Sequence, residues 1–328
     1  MSILITGAAG FIGYHISQHL LNRGESVIGV DDLNPYYDVQ LKNARLKQLE
    51  SHANFLFYPV NIMERDVITS FATKHPDIQK VIHLAAQAGV RYSLKNPYVY
   101  ANSNLVGHLT ILELCRSLQN LQHFVYASSS SVYGANQKLP FSIEDRVDHP
   151  ISLYAATKRS SELMAYTYSH LYGIPTTGLR YFTAYGPWGR PDMSAFIFTK
   201  AILANEEIAV FNHGNMRRNF TYIDDIVEGT CACLDSPPKQ GSKQNSELHR
   251  IYNIGNNQSE SIIDFINILE KTIGKKAKIR FEPMQPGEVK ETIADISEAT
   301  RDFKFIPKTN IHEGLKQFVE WYRSYYGI

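Results

Sequence analysis

Short apolar runs alternate with longer segments of helical periodicity through the first half of the chain. Runs rich in Ile, Val, Leu and Phe predict strands at residues 3–6, 27–30, 55–60, 81–84, 124–127 and 176–179. Apolar positions at helical spacing predict helices at residues 11–22, 64–74, 99–118 and 152–172. Strands that alternate with helices are typical of a parallel sheet covered by helices on both faces. We therefore predict an α/β fold built on a doubly wound parallel sheet.

The pattern changes after residue 180, where short strands, loops and helices are mixed. The chain has 328 residues, and a domain usually has about 150. We predict a larger domain at residues 1–180 and a smaller mixed α/β domain at residues 181–328, from which a strand or helix returns to the main sheet. A polar stretch at residues 235–250 contains Pro237, Pro238 and Gly241, so it predicts a surface loop.

Composition and charge exclude several classes of protein. The chain has 33 Lys and Arg against 32 Asp and Glu, a net charge of +1, so no overall field attracts nucleic acid or an anionic membrane. It shows neither an apolar run of about 18 residues nor a signal-peptide pattern. Three cysteines form neither a disulfide framework nor a zinc pattern. We expect a cytoplasmic protein that binds no nucleic acid, membrane or metal.

A glycine-rich turn joins the first predicted strand to the first predicted helix. Gly7, Gly10 and Gly13 would let backbone amides approach a pyrophosphate at the positive end of that helix. Asp31 ends the second predicted strand, where a carboxylate accepts from the ribose hydroxyls of a dinucleotide. Asp31 and the adjacent Asp32 would repel a 2′-phosphate. The turn and these acids therefore predict NAD rather than NADP as the cofactor.

A tyrosine and a lysine share one face of the predicted helix at residues 152–172. Tyr154 and Lys158 are four positions apart, and an ammonium near a phenol lowers the phenol's pKa from about 10, which makes it a better base. With 20 Tyr and 18 Lys in 328 residues, chance supplies 20 × 18/328, or about one such pair. The position gives the pair its weight, because Ser129 ends the preceding predicted strand and can hydrogen-bond the reacting oxygen.

Five segments resemble the extended short-chain dehydrogenase/reductase family of nucleotide-sugar enzymes, and within it the UDP-glucuronate 4-epimerases. They are the stretches at residues 34–38, 83–93, 128–134, 180–192 and 284–288. The first and fourth discriminate best within the family. The resemblance covers essentially the whole chain, and it implies an NAD-binding Rossmann domain followed by a domain for a nucleotide sugar.

The resemblance also implies roles for individual residues. Residues expected to bind NAD are Gly7, Gly10, Phe11, Ile12, Gly13, Asp31, Asp32, Asn61, Ile62, Leu84, Ala85, Ala86, Asn104, Lys158 and Tyr181. The expected catalytic residues are Ser129, Tyr154 and Lys158. Residues expected to bind the substrate are Ser130, Ser131, Thr183, Arg190, Arg218 and Glu288. The helices at residues 99–118 and 152–172 would form a homodimer through a four-helix bundle.

Three positions depart from the family pattern, one of which is Lys290, where Pro is usual. Asn61 stands where Asp is usual beside the adenine, although an amide carbonyl can still accept a hydrogen bond there. Asn219 follows Arg218 where Asp is usual, and this exchange is expected to loosen the orientation of that arginine. None of the three departures touches Ser129, Tyr154 or Lys158.

The reaction implied by the resemblance is epimerisation of UDP-glucuronate to UDP-galacturonate through a 4-keto sugar. That intermediate is a β-keto acid, so an epimerase must hold its carboxylate out of line with the carbonyl π system. Hydroxyl groups of Ser130, Ser131 and Thr183, together with Arg190, suit that task.

Four alternatives remain open from the sequence. A 4-epimerase of UDP-glucose or a UDP-N-acetylhexosamine and a UDP-glucuronate decarboxylase share the same residues. A 4,6-dehydratase is disfavoured, because it needs an acidic pair where Ser130 and Ser131 stand. A non-catalytic NAD-binding regulator is disfavoured by the intact Ser129, Tyr154 and Lys158.

Overall fold

A computed structural model describes residues 1–239 and 248–328. The strands are β1 (Ser2–Thr6), β2 (Ser26–Val30), β3 (Phe55–Tyr58), β4 (Ile78–His83), β5 (His123–Ser129), β6 (Thr176–Tyr181), β7 (Thr183–Tyr185), β8 (Glu207–Val210), β9 (Arg217–Arg218), β10 (Phe220–Tyr222), β11 (His249–Ile254), β12 (Glu260–Ser261) and β13 (Lys278–Phe281). The α-helices are α1 (Phe11–Asn22), α2 (Val39–Leu49), α3 (Arg65–Thr69), α4 (Phe71–Lys74), α5 (Val90–Lys95), α6 (Pro97–Tyr100), α7 (Gly107–Ser117), α8 (Leu153–Tyr172), α9 (Ser194–Ala204), α10 (Ile223–Leu234), α11 (Ile262–Ile273), α12 (Ser297–Phe303) and α13 (Ile311–Tyr326).

Seven parallel strands form the central sheet in the order β11-β6-β5-β4-β1-β2-β3. The first six strands of the chain are the six that the apolar runs predict. The order reverses between β1 and β4, and this is where ligands bind in open α/β sheets. The doubly wound parallel sheet predicted from the sequence is confirmed.

The sheet is buried on both faces, which explains why its strands are almost continuously apolar. Ile3 and Ile5 of β1 pack into the core cluster that contains Phe11 and Ile16 of α1, whereas Leu4 packs into the cluster on the other face. The three side chains of β1 are at most 1 % exposed. Because successive strand residues point to opposite faces, a strand in this setting needs apolar residues at every position.

Strand β11 comes from the second half of the chain but completes the main sheet by pairing in parallel with β6. This is the kind of returning segment that the sequence pattern allowed for. The other described strands of the second half form three two-stranded pairs, β7 with β10, β8 with β13 and β9 with β12. Of the predicted loop at residues 235–250, residues 240–247 lie outside the described part of the chain.

Several helices differ from the prediction. Helices α2 and α5 were not predicted. The pattern did not indicate α2 because its buried positions include Lys42 and Arg45, which a polarity pattern assigns to the surface. The predicted helix at residues 99–118 is divided into α6, a π-helical turn at Ala101–Val106 and α7. The predicted helix at residues 64–74 is divided into α3 and α4 at Ser70.

Helix α8 has the length predicted for it, and its start is fixed locally. The Ser152 hydroxyl accepts from the Ala155 amide at 3.1 Å, and Gly173 ends the helix in the left-handed region at φ 66°. These caps fix where α8 begins and ends. Across residues 1–239 and 248–328, no helix is both long and apolar enough to cross a membrane.

Candidate active site

A cavity of about 930 Å³ runs along the carboxyl ends of the central strands and continues under the second half of the chain. It is lined by residues that follow β1, β2, β4, β5 and β6, as well as by β7 and the segment before β9. All the residues expected to bind the cofactor or substrate, or to act in catalysis, line this one cavity except Asn104. The topology thus brings together groups that are up to 281 positions apart between Gly7 and Glu288.

The glycine turn packs so tightly that side chains are excluded. A Cβ atom on Gly13 would lie 2.0 Å from the Gly7 carbonyl oxygen, and one on Gly7 would lie 2.8 Å from the Ala85 amide nitrogen. Helix α1 begins at Phe11 without a side chain that caps it. The amides of its first turn therefore face the cavity as donors for an anion. These features fit the pyrophosphate of a dinucleotide.

The carboxylate of Asp31 is fixed beside this turn. Its oxygens accept from the Ala9 amide at 3.2 Å and the Leu33 amide at 2.9 Å. The buried Lys42 ammonium of α2 lies 3.5 Å from the Asp31 carboxylate. A carboxylate oxygen has two lone pairs, so Asp31 can still accept from ribose hydroxyls. Sequence reasoning missed Lys42 because α2 was not predicted.

Asn61 and Asn104 make contacts that the sequence did not predict. The Asn61 side chain donates to the Asp32 carboxylate at 2.8 Å, and its carbonyl accepts from the Met63 amide at 2.9 Å. Asn104 is buried behind the cavity wall, where it bonds the Gln87 backbone at 2.8 and 3.0 Å and the Thr157 hydroxyl at 3.0 Å. Asn104 therefore supports the loop after β4 and does not line the cavity itself.

Tyr154, Lys158 and Ser129 meet where the cavity passes the end of β5. Burial raises the pKa of the Tyr154 phenol above its ordinary value, while hydrogen bonding with Ser129 and the charge of Arg190 act in the opposite direction. Burial lowers the pKa of the Lys158 ammonium to about 8. Its Nζ donates to the Ala127 carbonyl at 2.8 Å. The charge of Arg190 therefore favours the phenolate in addition, while the role of Lys158 beside the phenol stays a prediction.

A buried ionic network sets the distance between α8 and β5. Glu162 of α8 accepts from Arg180 of β6 at 2.8 and 3.0 Å and from the Ser128 hydroxyl at 2.6 Å. Burial opposes ionisation, but the hydrogen bonds and charge of Arg180 hold the pKa of the Glu162 carboxyl below its usual range. Because Ser128 precedes Ser129 and Glu162 lies one turn after Lys158, the network aligns the catalytic candidates.

Arg190 lies on the loop after β7 and is paired with a carboxylate. Its Nε donates to Asp192 Oδ1 at 3.0 Å, and its Nη2 donates to Asp192 Oδ2 at 2.5 Å. The Tyr36 hydroxyl donates to Asp192 Oδ2 at 3.2 Å. Thr183 and the Ser130–Ser131 turn line the cavity as well. The residues predicted to contact a sugar carboxylate thus line the same cavity, which Tyr36 and Asp192 line as well.

At the far end of the cavity two arginines share one carboxylate. Arg91 Nε donates to Glu288 Oε1 at 2.8 Å, and Arg218 Nη2 lies 3.8 Å from Glu288 Oε2. The Arg91 guanidinium lies 4.3 Å from the centre of the Phe211 ring. Two cations beside an aromatic ring can bind a diphosphate and stack on a planar base. No local pattern in the sequence ties Arg91 to Glu288, which lies 197 positions away.

Asn219 does not loosen Arg218 as expected, because its side chain faces away from that arginine. Its amide donates to the carbonyls of Asn256 and, at 2.8 Å, Gln258, and its oxygen accepts from the Asn256 amide at 2.7 Å. Arg218 is instead held by the carbonyls of Arg217 and Lys290. The amide of Asn219 is needed as a donor, which a carboxylate could not provide.

Comparison with known proteins supports the same reading of the chain. Residues 4–318 match the sequence model of a family described as GDP-mannose 4,6 dehydratase. The chain is 50% identical to protein CapI of Staphylococcus aureus, over 99% of each protein. It is 47% identical to UDP-glucuronate 4-epimerase 4 of Arabidopsis thaliana, over 99% of this chain and 76% of that protein. The crystal structure of UDP-glucuronic acid 4-epimerase from Bacillus cereus, in complex with UDP-glucuronic acid and NAD, superimposes with a TM-score of 0.90 at 36% identity, over 99% of this chain and 100% of that chain. The resemblance inferred from the sequence motifs is confirmed.

Proposed function

We propose that this chain, which belongs to the GDP-mannose 4,6 dehydratase family, is an NAD-dependent epimerase that interconverts UDP-glucuronate and UDP-galacturonate. One observation carries the choice of sugar, namely that Arg190 lines the same cavity as Tyr154, where its charge acts on the Tyr154 phenol. In a glucuronyl group the carboxylate is attached to C5, next to the C4 that reacts. Arg190, near the proposed base Tyr154, is therefore placed to bind the carboxylate that lies next to the reacting C4.

NAD is proposed as the resident cofactor because the residues present fit it. Gly7, Gly10 and Gly13 would hold the pyrophosphate and Asp31 the adenosine ribose, while Asp32 disfavours a 2′-phosphate. When bound, NAD accepts the hydride from C4 of the sugar and returns it to the opposite face.

The protein's own groups handle the proton and the orientation of the sugar. Tyr154 as a phenolate takes the proton from the sugar 4-hydroxyl, and Ser129 donates a hydrogen bond to the same oxygen. Lys158 contributes positive charge beneath this site up to a pH of about 8. At the other end, Arg91 and Arg218 bind the diphosphate. The 4-keto sugar can then rotate to present its opposite face while the UDP stays bound.

Holding the carboxylate decides between epimerisation and decarboxylation. The 4-keto intermediate loses CO₂ only if the bond from C5 to the carboxylate lies parallel to the carbonyl π system. Arg190 would fix that carboxylate by a bidentate contact, with Ser130, Ser131 and Thr183 as further donors. The second candidate, a decarboxylase, requires the same residues in a different alignment.

Product analysis with three sugar nucleotides tests the proposal. The protein with NAD is incubated with UDP-glucuronate, UDP-glucose or UDP-N-acetylglucosamine, and the products are separated by chromatography. We expect UDP-galacturonate to accumulate to equilibrium, and the two neutral sugars to react at least about tenfold more slowly, because they offer no carboxylate to the side of the Arg190 guanidinium that Asp192 leaves open. A UDP-pentose as the main product would instead identify a decarboxylase, and faster conversion of a neutral sugar would identify a different epimerase.

The domain division, assembly and setting are part of the proposal. Residues 1–180, joined by β11, would bind the cofactor, and the rest of residues 181–328 would bind the UDP-sugar. Three buried, unpaired cysteines suit a reducing cytoplasm. The product, an activated uronic acid, suits polysaccharide biosynthesis.

A homodimer through α7 and α8 is supported by their exposed apolar residues. Leu109 of α7 and Leu163 and Tyr166 of α8 are 41–53% exposed, and the two helices pack against each other. Doubling both helices across a twofold axis would bury these side chains in a four-helix bundle. Light scattering should give twice the chain mass, and Leu163→Glu should give the monomer mass. A monomeric wild-type protein would contradict this assembly.

A further inference from the structure

We propose that Tyr36 and Asp192 are positioning residues, which fix one edge of the Arg190 guanidinium and so make the site selective for a sugar that carries a carboxylate. The inference rests on the proposed function and deepens it. Tyr36 belongs to the segment at residues 34–38, whose role the sequence left open. The structure places this segment, which follows β2, against the loop that carries Arg190.

Asp192 occupies one edge of the Arg190 guanidinium. Nε and Nη2 of Arg190 donate to the two oxygens of Asp192 at 3.0 and 2.5 Å. Within residues 1–239 and 248–328, Asp192 is the sole hydrogen-bond acceptor for the Arg190 side chain. A guanidinium has a second edge formed by Nη1 and Nη2, and a planar carboxylate can bind it through two parallel hydrogen bonds.

Tyr36 holds Asp192 in this position. Its hydroxyl donates to Asp192 Oδ2 at 3.2 Å, and its ring packs 4.8 Å from the ring of Tyr92. Burial, followed by the charge of Asp192, raises the pKa of the Tyr36 phenol to about 12. The hydroxyl therefore remains a donor at neutral pH. Tyr36 lies 156 positions before Asp192, so it ties the segment after β2 to the substrate side of the cavity.

Arg45 holds the backbone just before Arg190 and is itself bonded to Tyr37, the residue after Tyr36. The buried Arg45 guanidinium donates to the carbonyls of Trp188 at 2.6 Å, Gly189 at 3.3 Å and Ala9 at 2.9 Å. It also donates to the Tyr37 hydroxyl at 2.8 Å. The loop before Arg190 is thus anchored to the glycine turn. With its backbone and one edge fixed, Arg190 has few orientations left.

A fixed guanidinium favours an anionic sugar over a neutral one. The conformational entropy that a free arginine would lose on binding is already lost in the folded protein. A sugar carboxylate that binds the open edge therefore binds with higher affinity, whereas a neutral sugar makes no such contact. Loss of the Tyr36 hydroxyl should therefore weaken binding of the anionic sugar alone.

Tyr36→Phe tests the inference, with Tyr252→Phe as a matched control. Tyr252 donates to Asp302 Oδ2 at 2.7 Å, and Arg301 donates to Asp302 through Nε at 2.6 Å and Nη2 at 3.0 Å. These three residues repeat the arrangement of Tyr36, Asp192 and Arg190 but do not line the cavity. The control removes the same kind of hydroxyl from the same kind of ion pair, away from the site.

Calorimetric binding and turnover are measured for both variants in the NAD-loaded protein. In Tyr36→Phe we expect the affinity for UDP-glucuronate and its kcat/KM to fall about tenfold, mainly through KM, because one hydrogen bond to a charged group is lost. Affinity for UDP-glucose should stay within about twofold of wild type. The control should match wild type for both sugars. Asp192→Asn should also weaken UDP-glucuronate binding.

Three other outcomes would contradict the proposed role of Tyr36 and Asp192. Equal losses for both sugars would reveal a general structural effect, and unchanged binding in Tyr36→Phe would show that the hydroxyl positions nothing. Tighter UDP-glucuronate binding in Asp192→Asn would show that Asp192 competes with the substrate. Each of these overturns the inference while wild-type epimerisation leaves the proposed function intact. A wild-type protein that does not turn over UDP-glucuronate would overturn both.

Discussion

Replacing Tyr154 with phenylalanine is expected to lower kcat for C4 epimerisation about 10³-fold while NAD stays bound. General base catalysis contributes about 10² to 10⁴ in rate, and within the cavity Tyr154 is the phenol placed beside both Ser129 and Arg190. The substitution removes one oxygen and keeps the ring, which packs 6.0 Å from the ring of Tyr100. The fold should therefore be retained, and the loss should be confined to the chemical step.

The pH dependence of the wild-type enzyme gives a second readout of the same residue. Burial raises the pKa of the Tyr154 phenol, so the phenol is mostly protonated at neutral pH. The fraction present as phenolate grows as the pH rises, and kcat/KM should therefore increase on the alkaline side of neutrality. This increase should be absent from Tyr154→Phe, because a phenyl ring does not titrate.

The matched control is Tyr58→Phe, which removes a hydroxyl bonded to His75 at 2.9 Å outside the cavity. Steady-state assays with UDP-glucuronate should give wild-type kcat for this control. A Tyr154→Phe variant that turns over within about tenfold of wild type would contradict a role for this phenol as the base.

Replacing Gly13 with alanine is expected to abolish stable NAD binding, with a loss of at least about 100-fold in affinity. The new Cβ would lie 2.0 Å from the Gly7 carbonyl oxygen and 2.8 Å from the Gly7 carbonyl carbon. Both atoms belong to backbone, so the glycine turn itself must move away from the first turn of α1. Overpacking of this kind costs about 1–3 kcal/mol of stability, and the pyrophosphate loses its aligned amides.

Gly24→Ala is the control for this variant, because Gly24 follows the other end of the same helix. Apart from Gly24 and its two neighbours in the chain, no heavy atom of residues 1–239 and 248–328 lies within 4 Å of a Cβ built there, although the φ of +83° is unfavourable for alanine. Its cost should be about 1 kcal/mol in the free energy of unfolding, without loss of NAD. Absorbance of released cofactor and urea unfolding measure the two effects. Retention of NAD at wild-type affinity in Gly13→Ala would refute the assigned pyrophosphate site.

The sequence determined features that depend on local spacing. The apolar runs of β1 to β6, the helix α8 that carries Tyr154 and Lys158, and the turn from Gly7 to Gly13 all follow from periodicity and residue type within about 20 positions. The placement of Asp31 and Ser129 at strand ends follows from the same pattern, because the carboxyl ends of parallel strands meet at one edge.

Tertiary structure alone decided which distant groups touch. β11 returns to the sheet beside β6, and the charge of Arg190, 36 positions after Tyr154, acts on the phenol. Tyr36 reaches Asp192 across 156 positions. Local periodicity carries no information on such pairs, because it reports which face of an element is buried but not what that face meets. Hence the sequence determined the sheet, the glycine turn and the placement of the candidate base Tyr154, and the tertiary structure decided how Arg190, the candidate cation for the substrate carboxylate, is held.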